Sequence, residues 1–148
     1  MPTLTELLLT EAKRPLVLDD CTKLIDEEVD SKGGFSGVAI KLAFKTVKAL
    51  KPGMIRESVD YLLDEFVQKM EPFYAEHQNQ GAPGGIEKLV TTKSGPIADA
   101  LLSITDARAA RSKNKVIKGA YEKLRPEGKR QVEGAMPRVG RMLAKHGA

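Results

Sequence analysis

The hydrophobic run from Phe35 to Lys51, FSGVAIKLAFKTVKALK, most constrains how this chain folds. On a helical wheel its four lysines fall in one narrow strip, and apolar residues cover about two-thirds of the circumference. A helix of this kind must be covered on several sides, so we predict that the run is the central helix of a bundle, at about residues 36–51. The alternative is a basic amphipathic helix on a membrane surface. Such helices usually carry a wide charged face, whereas the charged face of this helix is narrow.

The rest of the chain repeats apolar residues with a helical period, and prolines and glycines separate the segments. The pattern predicts further helices at about residues 4–9, 15–30, 54–70, 86–92, 96–111 and 114–124, and a weak or kinked one after Pro126. Pro72 is expected to stop or kink its helix, and residues 77–85 have the composition of a loop. Because no alternating strand pattern of useful length occurs, we predict an all-α compact bundle of five to seven helices in one domain, residues 1–148.

Cysteine content and targeting signals bear on the cellular compartment. The single cysteine, Cys21, excludes an intrachain disulfide and suits a reducing compartment. It falls on the apolar side of its helix, which indicates an inert core thiol. The N-terminus lacks the basic region of a secretory signal, and no apolar segment approaches the length that spans a bilayer. We therefore predict a cytoplasmic protein.

Charge is distributed unevenly along the chain. Residues 1–107 carry a net charge of −5 and residues 108–148 a net charge of +9. Either the two halves face each other within one fold or one dimer, or the basic third is a surface for an anionic partner. The candidate anion or nucleic-acid surface comprises Lys113, Lys115, Lys118, Arg130, Arg138, Arg141 and Lys145. Clustering of this kind suffices for nonspecific phosphate contact, but base readout and base stacking have no evident support.

Two charged residues, Glu28 and Arg108, fall on helix faces that otherwise belong to the core. An unpaired charge there would be costly. They form a candidate buried polar pair, or Arg108 reaches the floor of a small anion-binding cleft. In the simpler alternative each side chain extends to water from the end of its helix.

The usual catalytic and metal motifs are missing from the sequence. Of the two histidines, His77 lies in the predicted loop, and His146 is expected to fray with the C-terminus. Neither has a plausible frame for a catalytic triad, and the spacings of zinc, di-iron and phosphate-loop sites do not occur. We predict no catalytic, cofactor-binding or metal-ligating residues and no cofactor.

Six short stretches of the sequence are informative together: TLTELL at 3–8, KRP at 13–15, FSGVAIK at 35–41, KPG at 51–53, ADALLSITDARAAR at 98–111 and YEKLRP at 121–126. They resemble an uncharacterised family of small all-helical bacterial proteins. The resemblance implies an all-helical bacterial cytosolic protein. It implies no activity, cofactor or catalytic residue.

These observations predict a protein that acts through its surface and is not an enzyme. We expect a protein-interaction or self-associating helical module, whose partner is another protein or a second copy of the chain. One alternative is a nonspecific binder of anionic polymers, nucleic acid or acidic lipid, through residues 108–148. A further alternative is a carrier that holds an apolar small molecule among its helices, which would require a cavity.

Overall fold

The helices begin and end largely where the sequence pattern places them. A computed structural model describes residues 2–148, apart from the side chains of residues 34–36. The helices are α1 (Leu4–Leu8), α2 (Arg14–Ser31), α3 (Gly34–Leu50), α4 (Met54–Asn79), α5 (Gly85–Thr92), α6 (Ser94–Arg111), α7 (Lys115–Leu124) and α8 (Gly128–Lys145), with a 3-10 turn at Arg125–Glu127. Residues 2–148 contain no strand, and all of these helices except the short α1 have eight or more residues. The all-α bundle is thus confirmed.

Side-chain caps fix the starts of two helices. The Thr3 side chain accepts a hydrogen bond from the Glu6 amide at 3.1 Å and caps the N-terminus of α1. Asn114 Oδ1 accepts from the amides of Val116 at 3.0 Å and Ile117 at 3.2 Å and begins α7. Both residues supply an acceptor for amides that have no partner within the helix, so these starts follow from local chemistry.

Two helices continue through a proline. Helix α4 passes Pro72 and ends at Asn79, nine residues beyond the predicted end at Met70, and α8 is one helix despite Pro137. A proline inside a helix costs about 3 kcal/mol or more. Beyond Pro72, Tyr74 and His77 are both buried, and their packing favours continuing the helix.

The main hydrophobic core is built from every helix except α3 and α7. Its buried members include Leu4 and Leu8 of α1, Val17 of α2, Leu63 and Val67 of α4, Val90 of α5, Ile97 of α6, and Met136 and Leu143 of α8. At Gly140, helices α5 and α8 lie so close together that an added Cβ would be 2.9 Å from Val90 Cγ2 and 3.0 Å from Glu87 Cα. A larger residue at this crossing would force these neighbours to shift.

Helix α3 is not the centre of the bundle, so that part of the fold prediction was wrong. Its inner face buries Ile40 and Val47, but Val38, Leu42 and Leu50 are between 63% and 66% exposed. Helix α3 packs against α2, α4 and α7, which leave the opposite face uncovered. Phe35, the first residue of the hydrophobic run, has its side chain outside the described part of the chain. Among the described residues, no helix is both long enough and apolar enough to cross a bilayer.

Candidate functional site

A cavity of about 370 Å³ lies inside the bundle and is partly open to solvent. All helices except α5 contribute to its lining. The walls are aliphatic, aromatic and methionine side chains, and the charged or amide groups among them are Glu28, Lys32 and Gln131. This composition matches that of small-molecule pockets, which are mostly apolar with a few placed polar groups.

The cavity exists because the apolar faces of α2 and α8 oppose each other without filling the space between them. Cys21 and Ile25 line it from α2, and Ala135 and Val139 line it from α8. Phe44 of α3 adds an aromatic wall. Ala135 is a small residue that faces the void, and it leaves unfilled a space that a larger side chain would occupy.

Two residues of the cavity lining, Glu28 and Lys32, belong to a group of four charged side chains that also includes Glu27 and Arg138. Glu28 accepts hydrogen bonds from Arg138 Nε at 2.8 Å and from Lys32 Nζ at 3.1 Å. Arg138 Nη1 also donates to Glu27 at 2.8 Å. The Glu28 side chain is only 13% exposed, so these pairs compensate a carboxylate that is largely removed from water. Two cations and two carboxylates leave this group polar and close to neutral.

The predicted pairing of Glu28 with Arg108 was wrong. Arg108 donates to Glu65 and, at 2.7 Å, to the hydroxyl of Tyr61, and its guanidinium lies 4.4 Å from the centre of the Tyr61 ring. Both partners of Arg108 belong to α4, whereas the partner of Glu28 is Arg138 of α8. Each helix face was identified correctly, but the neighbouring helix that meets it depends on the topology of the bundle. The guanidinium of Arg108, which was also considered for the floor of an anion-binding cleft, is already paired with the Glu65 carboxylate.

The predicted anion surface divides into two parts. Arg138 and Lys145 pair with acidic residues of α2, the latter with Asp20 at 3.0 Å, and Arg130 lies 3.7 Å from Glu127. The remaining members, Lys113, Lys115, Lys118 and Arg141, are exposed, and no ion pair involves them within residues 2–148. For α2 and α8, the acidic and basic halves face each other within one fold.

His146 does not fray with the C-terminus, contrary to expectation. It is buried, and its Nε2 lies 2.7 Å from Asp20 Oδ2. Burial alone would raise the pKa of Asp20, but hydrogen bonds with His146 and Lys145 outweigh that effect and hold the pKa below its ordinary value. The contact between His146 and Asp20 holds the C-terminal end of α8 against α2.

The second histidine also has a structural place. His77 is buried at the end of α4, and its Nε2 lies 3.0 Å from the Gly85 carbonyl oxygen. In the part of the chain that the structure describes, no group of three or more His, Cys, Asp or Glu side chains is arranged to hold a metal ion.

The cysteine in the cavity wall is a weak nucleophile. Burial, with a smaller effect from Asp20, raises the pKa of the Cys21 thiol to about 11. Because the thiolate is the reactive form, Cys21 contributes mainly apolar surface at neutral pH.

One family model matches nearly the whole chain. The family model that matches residues 4–147 is described as a family of unknown function, DUF6918. The chain belongs to the DUF6918 family. This agrees with the resemblance to an uncharacterised family, and it assigns no activity. No curated protein and no solved structure matches the chain.

Sequence patterns missed the cavity of this DUF6918 protein as a site. The sequence pattern singled out Glu28 because it falls on an apolar helix face. The cavity beside it depends on how several helices are arranged around it, which a single helix does not reveal. The apolar arc of α3 was one available signal, since it is wider than one packed face requires. It could have indicated that part of that arc would remain uncovered.

Proposed function

We propose that this DUF6918 protein binds an apolar small molecule, of the chemistry of an acyl chain with a polar end, in the cavity between α2, α3, α4 and α8. The observation that carries the proposal is a cavity of about 370 Å³ with almost entirely apolar walls. Its volume falls within the range of about 300–1,000 Å³ that small-molecule sites occupy. An engineered apolar cavity of about 150 Å³ already binds benzene.

The energetics of the cavity favour an occupant. At about 24 cal/mol per Å³, a void of 370 Å³ that stayed empty would cost on the order of 9 kcal/mol. This is an upper limit, because the coefficient applies to closed cavities and this one is partly open to solvent. It is still comparable with the whole stability of a typical domain, about 5–15 kcal/mol. A ligand that fills the space restores the lost contacts and stabilises the folded chain.

The polar groups of the cavity lining favour an amphiphile over a pure hydrocarbon. Glu28, Lys32 and Gln131 are the polar residues of the lining, and Arg138, which lies outside the lining, donates to Glu28. A carboxylate or hydroxyl at the end of an acyl chain can hydrogen-bond there while the chain remains in the cavity. The chemistry of the site thus matches the two ends of such a molecule.

The role we propose is binding without catalysis, in the cytoplasm. Two features support this: the Cys21 thiol is protonated at neutral pH, and both oxygens of Glu28 accept hydrogen bonds from cations. A single unpaired cysteine supports the cytoplasmic location. The protein-interaction and self-association roles stay predictions.

Titration with decanoic acid and decanol tests the proposal, with thermal unfolding as the readout. At a free ligand concentration about 100 times Kd, binding adds about 2.7 kcal/mol, which corresponds to a rise in Tm of roughly 5–10 °C. Native mass spectrometry gives the stoichiometry, with one ligand expected per chain. The informative variant is Ala135→Phe, which places an aromatic ring in the cavity.

The matched control is Ala107→Phe on the exposed side of α6, away from the cavity lining. We expect Ala135→Phe to abolish the ligand-induced rise in Tm, and Ala107→Phe to retain it. If neither amphiphile raises Tm, or if both variants respond as the wild type does, the cavity is not a binding site for this class of molecule.

A further inference from the structure

The outer face of α3 presents large apolar side chains to solvent. Val38 is 66% exposed and Leu42 is 63% exposed. They are four residues apart, so they lie one above the other on the same side of the helix. Leu50, at the C-terminal end of the helix, is also 63% exposed. Neither Val38 nor Leu42 lines the cavity, so this surface is separate from the proposed ligand site.

The same helix carries only positive charge. Its 17 residues include three lysines and no aspartate or glutamate. Lys48 pairs with Asp26 at 2.6 Å, whereas Lys41 and Lys45 are exposed and form no ion pair within residues 2–148. On a helical wheel these two lysines fall beside Val38 and Leu42. The exposed apolar surface therefore has two uncompensated cations at its border.

Helix α7, which packs against α3, extends this pattern. Its Val116 is 44% exposed, and Lys115 and Lys118 on either side of it in the chain are exposed. Three lysines of α7 stand against one acidic residue, Glu122. Two adjoining helices thus combine exposed aliphatic side chains with an excess of lysine.

We propose that α3 and α7 form a docking surface for an anionic lipid bilayer. Aliphatic side chains beside lysines match the interface of such a bilayer, where the acyl boundary takes up the former and the lipid phosphates attract the latter. A second copy of the chain fits less well, because a twofold contact through α3 would bring its lysines close to those of the partner. Nucleic acid would engage the lysines but leave Val38 and Leu42 in water.

Co-sedimentation with vesicles tests this surface. The full-length protein is mixed with vesicles of phosphatidylcholine alone and with vesicles that also contain phosphatidylserine. We expect binding to the anionic vesicles and little to the neutral ones. A lysine near an anionic surface contributes about 1 kcal/mol, so K41E/K45E should weaken partitioning by at least about 30-fold. V38S/L42S should weaken it as well, because the apolar contacts are lost.

The control variant is K69E/K93E, which makes the same change in net charge at two exposed lysines outside α3 and α7, Lys69 in α4 and Lys93 in the turn between α5 and α6. It should weaken binding much less than K41E/K45E. Circular dichroism and thermal unfolding show whether each variant keeps the fold. The proposal is overturned if the wild type does not bind anionic vesicles, or if K69E/K93E and K41E/K45E weaken binding equally. It is also overturned if V38S/L42S binds like the wild type and a generic DNA duplex competes, which would indicate attraction to any polyanion.

Discussion

Enlarging a residue in the cavity wall should stabilise the protein, which is the opposite of what enlargement does in a filled core. The change is Ala135→Leu, on the face of α8 that lines the cavity. Leucine adds three carbon atoms. If they enter the void, each gains about 0.8 kcal/mol from burial, or about 2.4 kcal/mol in total.

Fixing the leucine rotamer opposes this gain by about 0.5–1 kcal/mol. The expected net stabilisation is about 1.5 kcal/mol, or a rise in Tm of roughly 3–6 °C. Neither the fold nor the main core contacts need to change, because the cavity of about 370 Å³ far exceeds the added volume.

Urea denaturation followed by circular dichroism measures the effect. The matched control is Ala98→Leu, since Ala98 is fully buried and lies outside the cavity lining. Overpacking there should destabilise the protein by about 1–3 kcal/mol. The two variants should thus change the free energy of unfolding in opposite directions. If Ala135→Leu destabilises the protein as much as Ala98→Leu does, the cavity is closed in solution and the reasoning fails.

Two further predictions concern packing and pH. Gly140→Ala should destabilise the protein by about 1–3 kcal/mol, since its Cβ would lie 2.9 Å from Val90 Cγ2. Gly134→Ala, in the same helix, has no side chain closer than 3.8 Å and should stabilise it by up to about 1 kcal/mol. Urea midpoints compare the two variants. Asp20→Asn should destabilise the protein by about 1–2 kcal/mol at neutral pH, because the charged contact with His146 is lost. The pKa of Asp20 is lowered in the folded state, so its contribution is present above the ordinary value of 3.8 and lost as pH falls through the folded value. The difference between wild type and Asp20→Asn, measured by urea denaturation at each pH, should therefore shrink in acid.

Equal destabilisation by the two alanine variants would contradict the close approach of α5 and α8 at Gly140. A difference between wild type and Asp20→Asn that stayed constant down to the most acidic pH would mean that the Asp20 contact does not depend on its charge.

Local chemistry was sufficient for most helix boundaries. Thr3 and Asn114 cap the helices that follow them, and Pro15 lies in the first turn of α2. Pro72 was misjudged because its local cost is outweighed by the burial of residues that follow it, which are distant in sequence from their partners. Such contacts are not visible within one segment.

The candidate site was much less predictable than the helices. The periodicity placed Cys21 on the apolar side of α2, and it singled out Glu28 on the same side. It did not identify Arg138 as the partner of Glu28, because the two residues are 110 positions apart and meet only once α2 lies against α8. The volume between these helices likewise depends on their separation, which no residue of either one specifies alone.

The sequence by itself determined the all-helical architecture, the chief helix ends and the uneven distribution of charge, because all of these follow from residues close together in the chain. Only the tertiary structure decided which apolar face is covered, which charges are paired, and where space remains. A helical wheel gives the width of the apolar arc of α3 but not how much of it the neighbouring helices cover. The extent of coverage depends on how all the helices pack together. In this protein the packing leaves an apolar cavity inside the bundle and an apolar face with lysines at its border on the outside.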